Sequence, residues 1–451
     1  MNTKALREKI LDLAMRGKLV EQDPNDEPAS ELLKKIRAEK EQLVKDKKIK
    51  KEKPLPEIRE DEVPFEIPEN WKWVRLSDVS KEIFAGGDKP KVFSKEKYSK
   101  ISVPVYANGV TAKGLYGYTD IPRVLESAIT ISARGTIGYS VIREEPFVPI
   151  VRLLVIIPFK QFVSHKFVKL FFDYSIETGE GTSIKQLTVP GIKPRLIPVP
   201  PLKEQKRIEA KIEELFALID TIEMNLTEYN QLTEQLDKKV LVLAMRGKLV
   251  EQDPNDESAS ELLKKIRAEK EQLVKDKKIK KEKPLPEIRE DEVPFEIPEN
   301  WKWVRLSDVS KEIFAGGDKP KVFSKEKYSK ISVPVYANGV TAKGLYGYTD
   351  IPRVLESAIT ISARGTIGYS VIREEPFVPI VRLLVIIPFK QFVSHKFVKL
   401  FFDYSIETGE GTSIKQLTVP GIKLRLIPVP PLKEQKRIVS KIEEIRAELQ
   451  R

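Results

Sequence analysis

The sequence predicts an α+β protein in which two mixed α/β domains are separated by long helices that form an antiparallel coiled coil. Residues 13–208 recur as residues 243–438, and the two copies differ only at Pro28 against Ser258 and at Pro194 against Leu424. A long segment without proline or glycine, residues 202–245, follows the first α/β region. A chain built twice from one unit predicts a pseudo-twofold, circular arrangement.

Apolar residues of the segment 202–245 recur at spacings of three and four, which is the pattern of a coiled-coil seam. They include Ile208, Ile212, Leu215 and Ile219. At about 1.5 Å per residue the helix would be roughly 65 Å long, and a helix so polar needs a partner. The C-terminal segment repeats its first half and the N-terminal segment resembles its second half, so the two are expected to form that partner.

The repeat divides the chain into five predicted segments. Residues 1–19 form an N-terminal helix, residues 20–200 the first domain, residues 201–246 the central helix, residues 247–430 the second domain and residues 431–451 a C-terminal helix. Within the first copy, Gly17 should break the helix over residues 5–19. Ser30 should cap a surface helix that Pro54 ends. Short strands are predicted at residues 103–106, 128–132, 139–142 and 153–157, and a short helix at residues 164–174.

Composition narrows the class of protein. The net charge is +12 and the pI is about 9.3, but ten basic residues against five acidic ones lie within residues 31–53 of the first copy. The charge therefore marks a basic arm and does not locate a base-reading surface. The absence of cysteine excludes disulfides and thiolate metal sites. No apolar run approaches the ~20 residues that span a bilayer, and the first residues do not resemble a signal peptide, so a cytoplasmic location is expected.

Four motifs recur in both copies, 230 residues apart: YANG at residues 106–109, ITISARGTIG at residues 129–138, TSIKQL at residues 182–187 and IPVPPLKEQ at residues 197–205. Their order and spacing resemble the specificity subunits of type I restriction–modification systems, and the resemblance covers essentially the whole chain. It implies two target-recognition domains, each of which reads one half-site of double-stranded DNA. It also implies that the helices set the spacing of the half-sites and dock two modification (methyltransferase) subunits.

The resemblance further implies restriction (translocase and nuclease) subunits as partners and no membrane. It places S-adenosylmethionine, ATP and magnesium in the partner subunits. Members of the family typically carry two different recognition domains, whereas the two domains here are nearly identical. They therefore predict a palindromic target with a non-specific gap, as protein twofolds predict palindromic operators.

The chain carries neither the glycine-rich cofactor motif nor the (Asn/Asp)-Pro-Pro-aromatic motif of an adenine methyltransferase, and it has no Walker A sequence. No catalytic or metal-ligating residue is predicted, and the chain is expected to be a non-catalytic subunit. His165 and His395 occupy one position in the two copies and are expected to be packing or surface residues. The alternative class is a coiled-coil scaffold whose repeated domains bind protein.

Base reading needs directional donors and acceptors at groove edges, whereas phosphate contacts need cations. Asn108 and Gln186 suit adenine, and Arg134 suits guanine. Each has another interpretation: Asn108 as a hairpin turn, Arg134 as a structural ion pair, and the tyrosines as packing. The basic arm is a solvated helix, a phosphate contact or a docking surface for the methyltransferase. The DNA-binding candidates are Lys89, Lys91, Tyr106, Asn108, Lys113, Tyr116, Tyr118, Ser132, Arg134, Thr136, Lys185 and Gln186, with Lys319, Lys321, Tyr336, Asn338, Lys343, Tyr346, Tyr348, Ser362, Arg364, Thr366, Lys415 and Gln416 in the second copy.

Overall fold

The computed structural model describes residues 2–176, 186–406 and 416–449. The chain divides into two units, Met1–Leu226 and Thr227–Arg451, and the division falls within one long helix. Each unit is a mixed α/β assembly, as the repeat predicted. Every helix within the described ranges is too short or too polar to traverse a lipid bilayer.

Unit 1 combines helices with small sheets. Its helices are α1 (Thr3–Met15), α2 (Ala29–Lys45), α3 (His165–Ser175), α4 (Val189–Ile192) and the first part of α5 (Leu202–Met245). Its strands are β1 (Lys72–Arg75), β2 (Ser80–Ala85), β3 (Val103–Tyr106), β4 (Leu115–Thr119), β5 (Ala128–Ile131), β6 (Ser140–Arg143), β7 (Val148–Pro149), β8 (Leu154–Pro158) and β9 (Leu196–Val199).

The strands of unit 1 form three sheets among the described residues. Strands β2, β8, β5 and β6 lie in that order and are antiparallel. Strand β3 pairs antiparallel with β4 and parallel with β7, and β1 pairs antiparallel with β9. This arrangement brings together the ends of strands β2, β3, β5 and β7 and the loops that follow them.

The four-stranded sheet is buried on both faces. Ile129 and Ile156 pack with Phe167 and Phe172 of α3 in the main core. Their neighbours along the strands alternate to the other face, where Val155 packs with other apolar residues in a smaller cluster. Continuous apolar runs such as Leu154–Pro158 are therefore buried strands, as short apolar runs indicate.

Unit 2 repeats this arrangement, with sheet orders β11-β17-β14-β15, β13-β12-β16 and β10-β18. Its helices are the second part of α5, α6 (Ala259–Lys275), α7 (His395–Ser405), α8 (Val419–Leu424) and α9 (Leu432–Leu449). Its strands are β10 (Lys302–Arg305), β11 (Ser310–Ala315), β12 (Val333–Tyr336), β13 (Leu345–Thr349), β14 (Ala358–Ile361), β15 (Ser370–Arg373), β16 (Val378–Pro379), β17 (Leu384–Pro388) and β18 (Leu426–Val429).

The two differences within the repeat both lie at helix ends. Ser258 is the N-cap of α6 and accepts a hydrogen bond from the Glu261 amide, whereas Pro28 at the N-cap of α2 offers no side-chain acceptor. Helix α8 extends to Leu424, whereas α4 ends at Ile192, just before Pro194. Lys193 still has helical backbone angles, but Pro194 has no amide N–H with which to continue the helical hydrogen bonds, which explains the shorter helix.

Each unit contains an antiparallel pair of long helices, as the sequence predicted. In unit 1, Arg7 of α1 bonds Asp220 of α5 at 2.5 Å, and Gln22, beyond the end of α1, bonds Glu204 at 2.6 Å. The order of the contacts along one segment is reversed along the other, so α1 and α5 run in opposite directions. In unit 2 the equivalent order runs from Tyr229 with Leu449, through Asp237 with Arg446, to Gln252 with Glu434.

The Glu-Gln pair of the IPVPPLKEQ motif joins the long helix to its domain. Glu204 and Gln205 are both fully buried. In the Gln205 side chain, Nε2 donates to the Pro200 carbonyl oxygen at 2.9 Å and Oε1 accepts from the Ser164 backbone amide, also at 2.9 Å. Burial raises the pKa of Glu204. This motif is therefore structural, because it fixes the direction in which α5 leaves the domain.

Three local predictions were wrong or incomplete. Helix α1 ends at Met15, because Gly17 at φ +67° turns the chain. Ser30 lies inside α2 rather than at its cap, and α2 ends at Lys45, well before Pro54. The end is set by a left-handed Lys47 at φ 55°. Tyr116 and Tyr118 lie on strand β4.

Candidate nucleic-acid interface

Four loops of unit 1 come together, and Asn108 joins three of them. They are residues 86–91 after β2, residues 107–114 between β3 and β4, residues 132–136 after β5 and residues 150–153 between β7 and β8; we call them the convergent loops. Asn108 Nδ2 donates to the Val151 carbonyl oxygen at 2.7 Å, and Oδ1 accepts from the Ala133 amide at 2.7 Å. The Gly109 amide donates to Ser132 Oγ at 3.1 Å. A single side chain thus ties three of the loops together.

The fourth loop joins through its backbone. The Val151 amide donates to the Gly87 carbonyl oxygen at 3.0 Å, and the Arg152 amide donates to the Gly86 carbonyl oxygen at 3.0 Å. A Cβ atom on Gly86 would lie 2.7 Å from the backbone carbon of Pro149. Glycine at residue 86 is therefore required by the close approach of the two loops.

A buried arginine, Arg143, holds the loop of residues 107–114 in place. Ala112 and Lys113 have φ values of 46° and 53°, which is unusual for residues other than glycine. Arg143 Nη2 donates to the Lys113 carbonyl oxygen at 2.5 Å, and Nε donates to Thr130 Oγ1 at 3.0 Å. The guanidinium carbon lies 3.5 Å from the centroid of the Tyr106 ring. Burial lowers the pKa of Arg143, and the arrangement fixes where the Lys113 side chain leaves the backbone.

Arg134 and Gln186 form a pair on the surface. Arg134 is exposed, and its Nη2 donates to Gln186 Oε1 at 2.8 Å. Arg364 and Gln416 form the same bond in unit 2 at 2.9 Å. The sequence suggested that these residues read different bases, whereas the structure brings them together so that the glutamine orients the guanidinium.

Two lysines lie over aromatic rings beside the convergent loops. Lys89 Nζ is 3.8 Å from the Phe93 ring centroid, and Lys95 Nζ is 3.8 Å from that of Tyr116. The two rings are 5.4 Å apart. Sequence reasoning found Lys89 and Tyr116 but missed Phe93 and Lys95, although the alternation of lysines and aromatic residues was a usable signal.

The structure sorts the predicted residues by exposure. Lys89, Lys91, Lys113, Tyr116 and Arg134 are exposed, and their side chains are available to a large ligand. Partly buried candidates are Tyr106, Asn108, Tyr118, Thr136 and Gln186. The second copy has the same distribution, with Lys319, Lys321, Lys343, Tyr346 and Arg364 exposed and Tyr336, Asn338, Tyr348, Thr366 and Gln416 partly buried.

Two pairs of candidates need separate comment. Ser132 is only 2% exposed and Ser362 only 1%. Their hydroxyls accept from the amides of Gly109 and Gly339, so burial argues against a direct base contact for either serine. Lys185 and Lys415 lie outside the residues that the structure describes.

The exposed groups suit a polyanion that also presents hydrogen-bond acceptors in fixed directions. Lysines bind phosphates as point charges, and an oriented guanidinium can donate two hydrogen bonds to one base. Among the described residues, no group of three or more histidines or carboxylates is placed to hold a metal ion. The sites of the two units are equivalent in every contact described above.

Comparisons with known proteins identify the family. The family model described as the type I restriction modification DNA specificity domain matches residues 68–234 and 298–451. The specificity subunit of the type I restriction enzyme EcoAI of Escherichia coli is 34% identical over 98% of this chain and 88% of its own length. That of EcoEI, also from Escherichia coli, is 36% identical over 69% of this chain and 63% of its own length.

Solved structures give the same fold. The HsdS subunit from Thermoanaerobacter tengcongensis matches with a TM-score of 0.51 and 19% identity, over 86% of this chain and 92% of that one. A second match is a chain from a structure that describes complex assembly and conformational transition of the type I R-M system. Its TM-score is 0.53 and its identity 19%, over 86% of this chain and 92% of that one. The class is thus a restriction–modification protein that specifies a DNA sequence. This chain belongs to the type I restriction–modification DNA specificity family.

Proposed function

We propose that each unit of this specificity subunit reads one half-site of double-stranded DNA through its convergent loops and the paired Arg134 and Gln186. The observation that carries the proposal is the repetition of one preorganised cluster, made of exposed cations and partly buried side-chain amides, in both domains that the family model matches. Phosphate contacts position a protein on DNA, and base-edge contacts specify the sequence. The exposed lysines suit the first role and the oriented Arg134 the second.

Because the two readers are nearly identical, the proposed target is a palindrome with a non-specific gap. The antiparallel helix pairs that α5 forms with α1 and α9 would set the length of the gap. They would also dock two modification subunits, with restriction subunits as further partners. Two relatives are specificity subunits of type I restriction enzymes, which supports this division of labour.

The proposed subunit is non-catalytic and acts in the cytoplasm. Its chemistry would be supplied by the partners, with S-adenosylmethionine in the modification subunits and ATP and magnesium in the restriction subunits. Lys185 and Lys415 remain candidates for DNA contact on the strength of the TSIKQL motif in which they lie.

The test is to co-express the chain with its cognate modification subunit and to map methylated adenines across the host genome by single-molecule sequencing. A gapped palindrome that is methylated on both strands is expected. An asymmetric target would contradict the proposal of two equivalent readers. The alternative is a protein-binding scaffold. It would be favoured if an assembled complex methylates no specific site and shows no base preference in DNA retention at either low or high salt.

A further inference from the structure

The turn at residues 150–153 has an unusual sequence for its shape. Its central residues, Val151 and Arg152, have φ values of 52° and 57°, and the Leu153 amide donates to the Ile150 carbonyl oxygen at 3.1 Å. Two-residue turns with both central φ values positive are dominated by Asn-Gly and similar pairs. A β-branched residue in the left-handed region is an outlier, because its Cβ substituents crowd the backbone.

The turn is held firmly despite this strain. The amides of Val151 and Arg152 are bonded to the carbonyl oxygens of Gly87 and Gly86, and the Val151 carbonyl oxygen accepts from Asn108. The Gly86 amide in turn donates a hydrogen bond to the Leu153 carbonyl oxygen at 2.8 Å. The surrounding loops therefore determine the conformation of the turn, and the directions of both side chains are fixed in advance.

Packing does not explain why valine and arginine occupy the turn. The Val151 residue is 58% exposed and its counterpart Val381 is 56% exposed, and Arg152 is exposed as well. Glycine at either position would relieve the strain with little loss of buried surface. Strained residues that the surrounding structure enforces cluster at functional sites. The two side chains therefore serve something outside the folded domain.

We propose that the turn at residues 150–153, which the Asn108 side chain holds in place, is a specificity-determining element that reads base edges, an inference that rests on the proposed function. Arg152 suits guanine, to which a guanidinium donates two hydrogen bonds in the major groove. Val151 suits the C5-methyl group of thymine, which is the apolar feature of that groove. Val381 and Arg382 perform the same roles in unit 2.

The duplication allows a test with an internal control. Arg152→Ala is introduced in unit 1 alone, and the assembled complex with its modification subunit methylates a plasmid library in which every half-site position is randomised. Single-molecule sequencing then gives the base preference at each position. We expect roughly tenfold to hundredfold weaker discrimination at one guanine of one half-site, with the other half-site unchanged. Arg382→Ala should relax the other half-site instead.

Val151→Gly separates base reading from folding. Glycine accepts the positive φ, so the unfolding temperature should not fall, while discrimination at a thymine of the same half-site should decrease. Unchanged preferences at both half-sites in Arg152→Ala and Val151→Gly, or a uniform loss of methylation without any change of preference, would overturn the inference. If the unaltered chain yields no gapped target, the proposed function fails before the variants are compared.

Discussion

Arg134 donates a hydrogen bond of 2.8 Å from Nη2 to Oε1 of Gln186, across 52 residues of sequence. The bond uses one N–H group of the guanidinium. It thereby fixes the direction in which the remaining N–H groups point. An arginine oriented in this way loses less conformational entropy when it binds than a free one does. The pair therefore resembles a prepared donor fork rather than two independent readers.

Replacing Arg134 with alanine should weaken discrimination for guanine at one half-site position by about 1–3 kcal/mol. Gln186→Ala should weaken the same position by a smaller amount, because the guanidinium remains but loses its support. Competition binding of the assembled complex to duplexes that differ at single positions measures both effects. Arg364→Ala is the matched control, since it should affect the other half-site. Effects of Arg134→Ala and Gln186→Ala at different positions would show that the two side chains read separate bases.

Asn108 is expected to position the loops more than it reads a base. Both ends of its amide are bonded, Nδ2 to Val151 and Oδ1 to the Ala133 amide. Asn108→Ala should lower the free energy of unfolding by about 1–3 kcal/mol, because it leaves a partly buried amide and carbonyl without partners. It should also reduce discrimination at several positions of one half-site at once.

Asn108→Asp distinguishes the two bonds. Aspartate keeps an acceptor for the Ala133 amide but brings a carboxylate against the Val151 carbonyl oxygen. Thermal unfolding and the same competition assay are the measurements. If Asn108→Ala changes one position only and leaves stability intact, Asn108 is a base reader, as the sequence first suggested.

The elements that could be predicted from sequence are those that local rules determine. Helix α5 occupies the predicted residues, Leu202–Met245, because a long heptad-like pattern without proline or glycine has one plausible structure. Strand β3 also occupies its predicted residues. The end of α2 could not be predicted, because the lysine-rich segment after Lys45 has good helix propensity and the break at Lys47 depends on its surroundings.

The candidate site was only partly accessible to sequence reasoning. The chemistry of Arg134 and Gln186 predicts that each can contact a base, but it does not predict their hydrogen bond, which joins residues far apart in the chain. The turn of Val151 and Arg152 was missed because turn rules look for glycine and asparagine, and neither is present. Residues whose conformation is enforced by tertiary contacts leave no local signal.

Acid should destabilise the protein through its two histidines. Burial lowers the pKa of His165 and of His395 from 6.5, and Lys160 and Lys390 add to the effect. As pH falls below 6.5, the unfolded chain is protonated first, so stability is present above pH 6.5 and is lost as pH falls toward the lowered values. The double variant His165→Gln/His395→Gln should lose less stability between about pH 7.5 and about pH 5.5.

The measurement is the free energy of unfolding of both proteins across that range. Burial raises the pKa of Glu204 and of Glu434, which gives stability that declines as pH rises above 4.5. The difference between the two proteins, rather than either curve alone, therefore isolates the histidines. Parallel curves would mean that the histidines titrate alike in the folded and unfolded chains.

The helix pairs of the two units should differ in the strength of their ion pairs. Arg446 of α9 makes two bonds to Asp237 of α5, at 2.7 and 2.9 Å, with about a third of each side chain exposed. In unit 1, Arg7 of α1 pairs with Asp220 of α5, whose side chain is 69% exposed. In each pair the arginine lies on α1 or α9 and the carboxylate lies on α5.

A double-mutant cycle on Arg446 and Asp237, with alanine at each, should give a coupling energy of about 0.5–1 kcal/mol. The cycle on Arg7 and Asp220 is the control and should give less, because water and salt screen the more exposed carboxylate. Chemical denaturation at low and at high salt supplies both values. A coupling near zero in both cycles would mean that these two ion pairs do not stabilise the helix pairs, and they would then serve only to select which helix packs on α5.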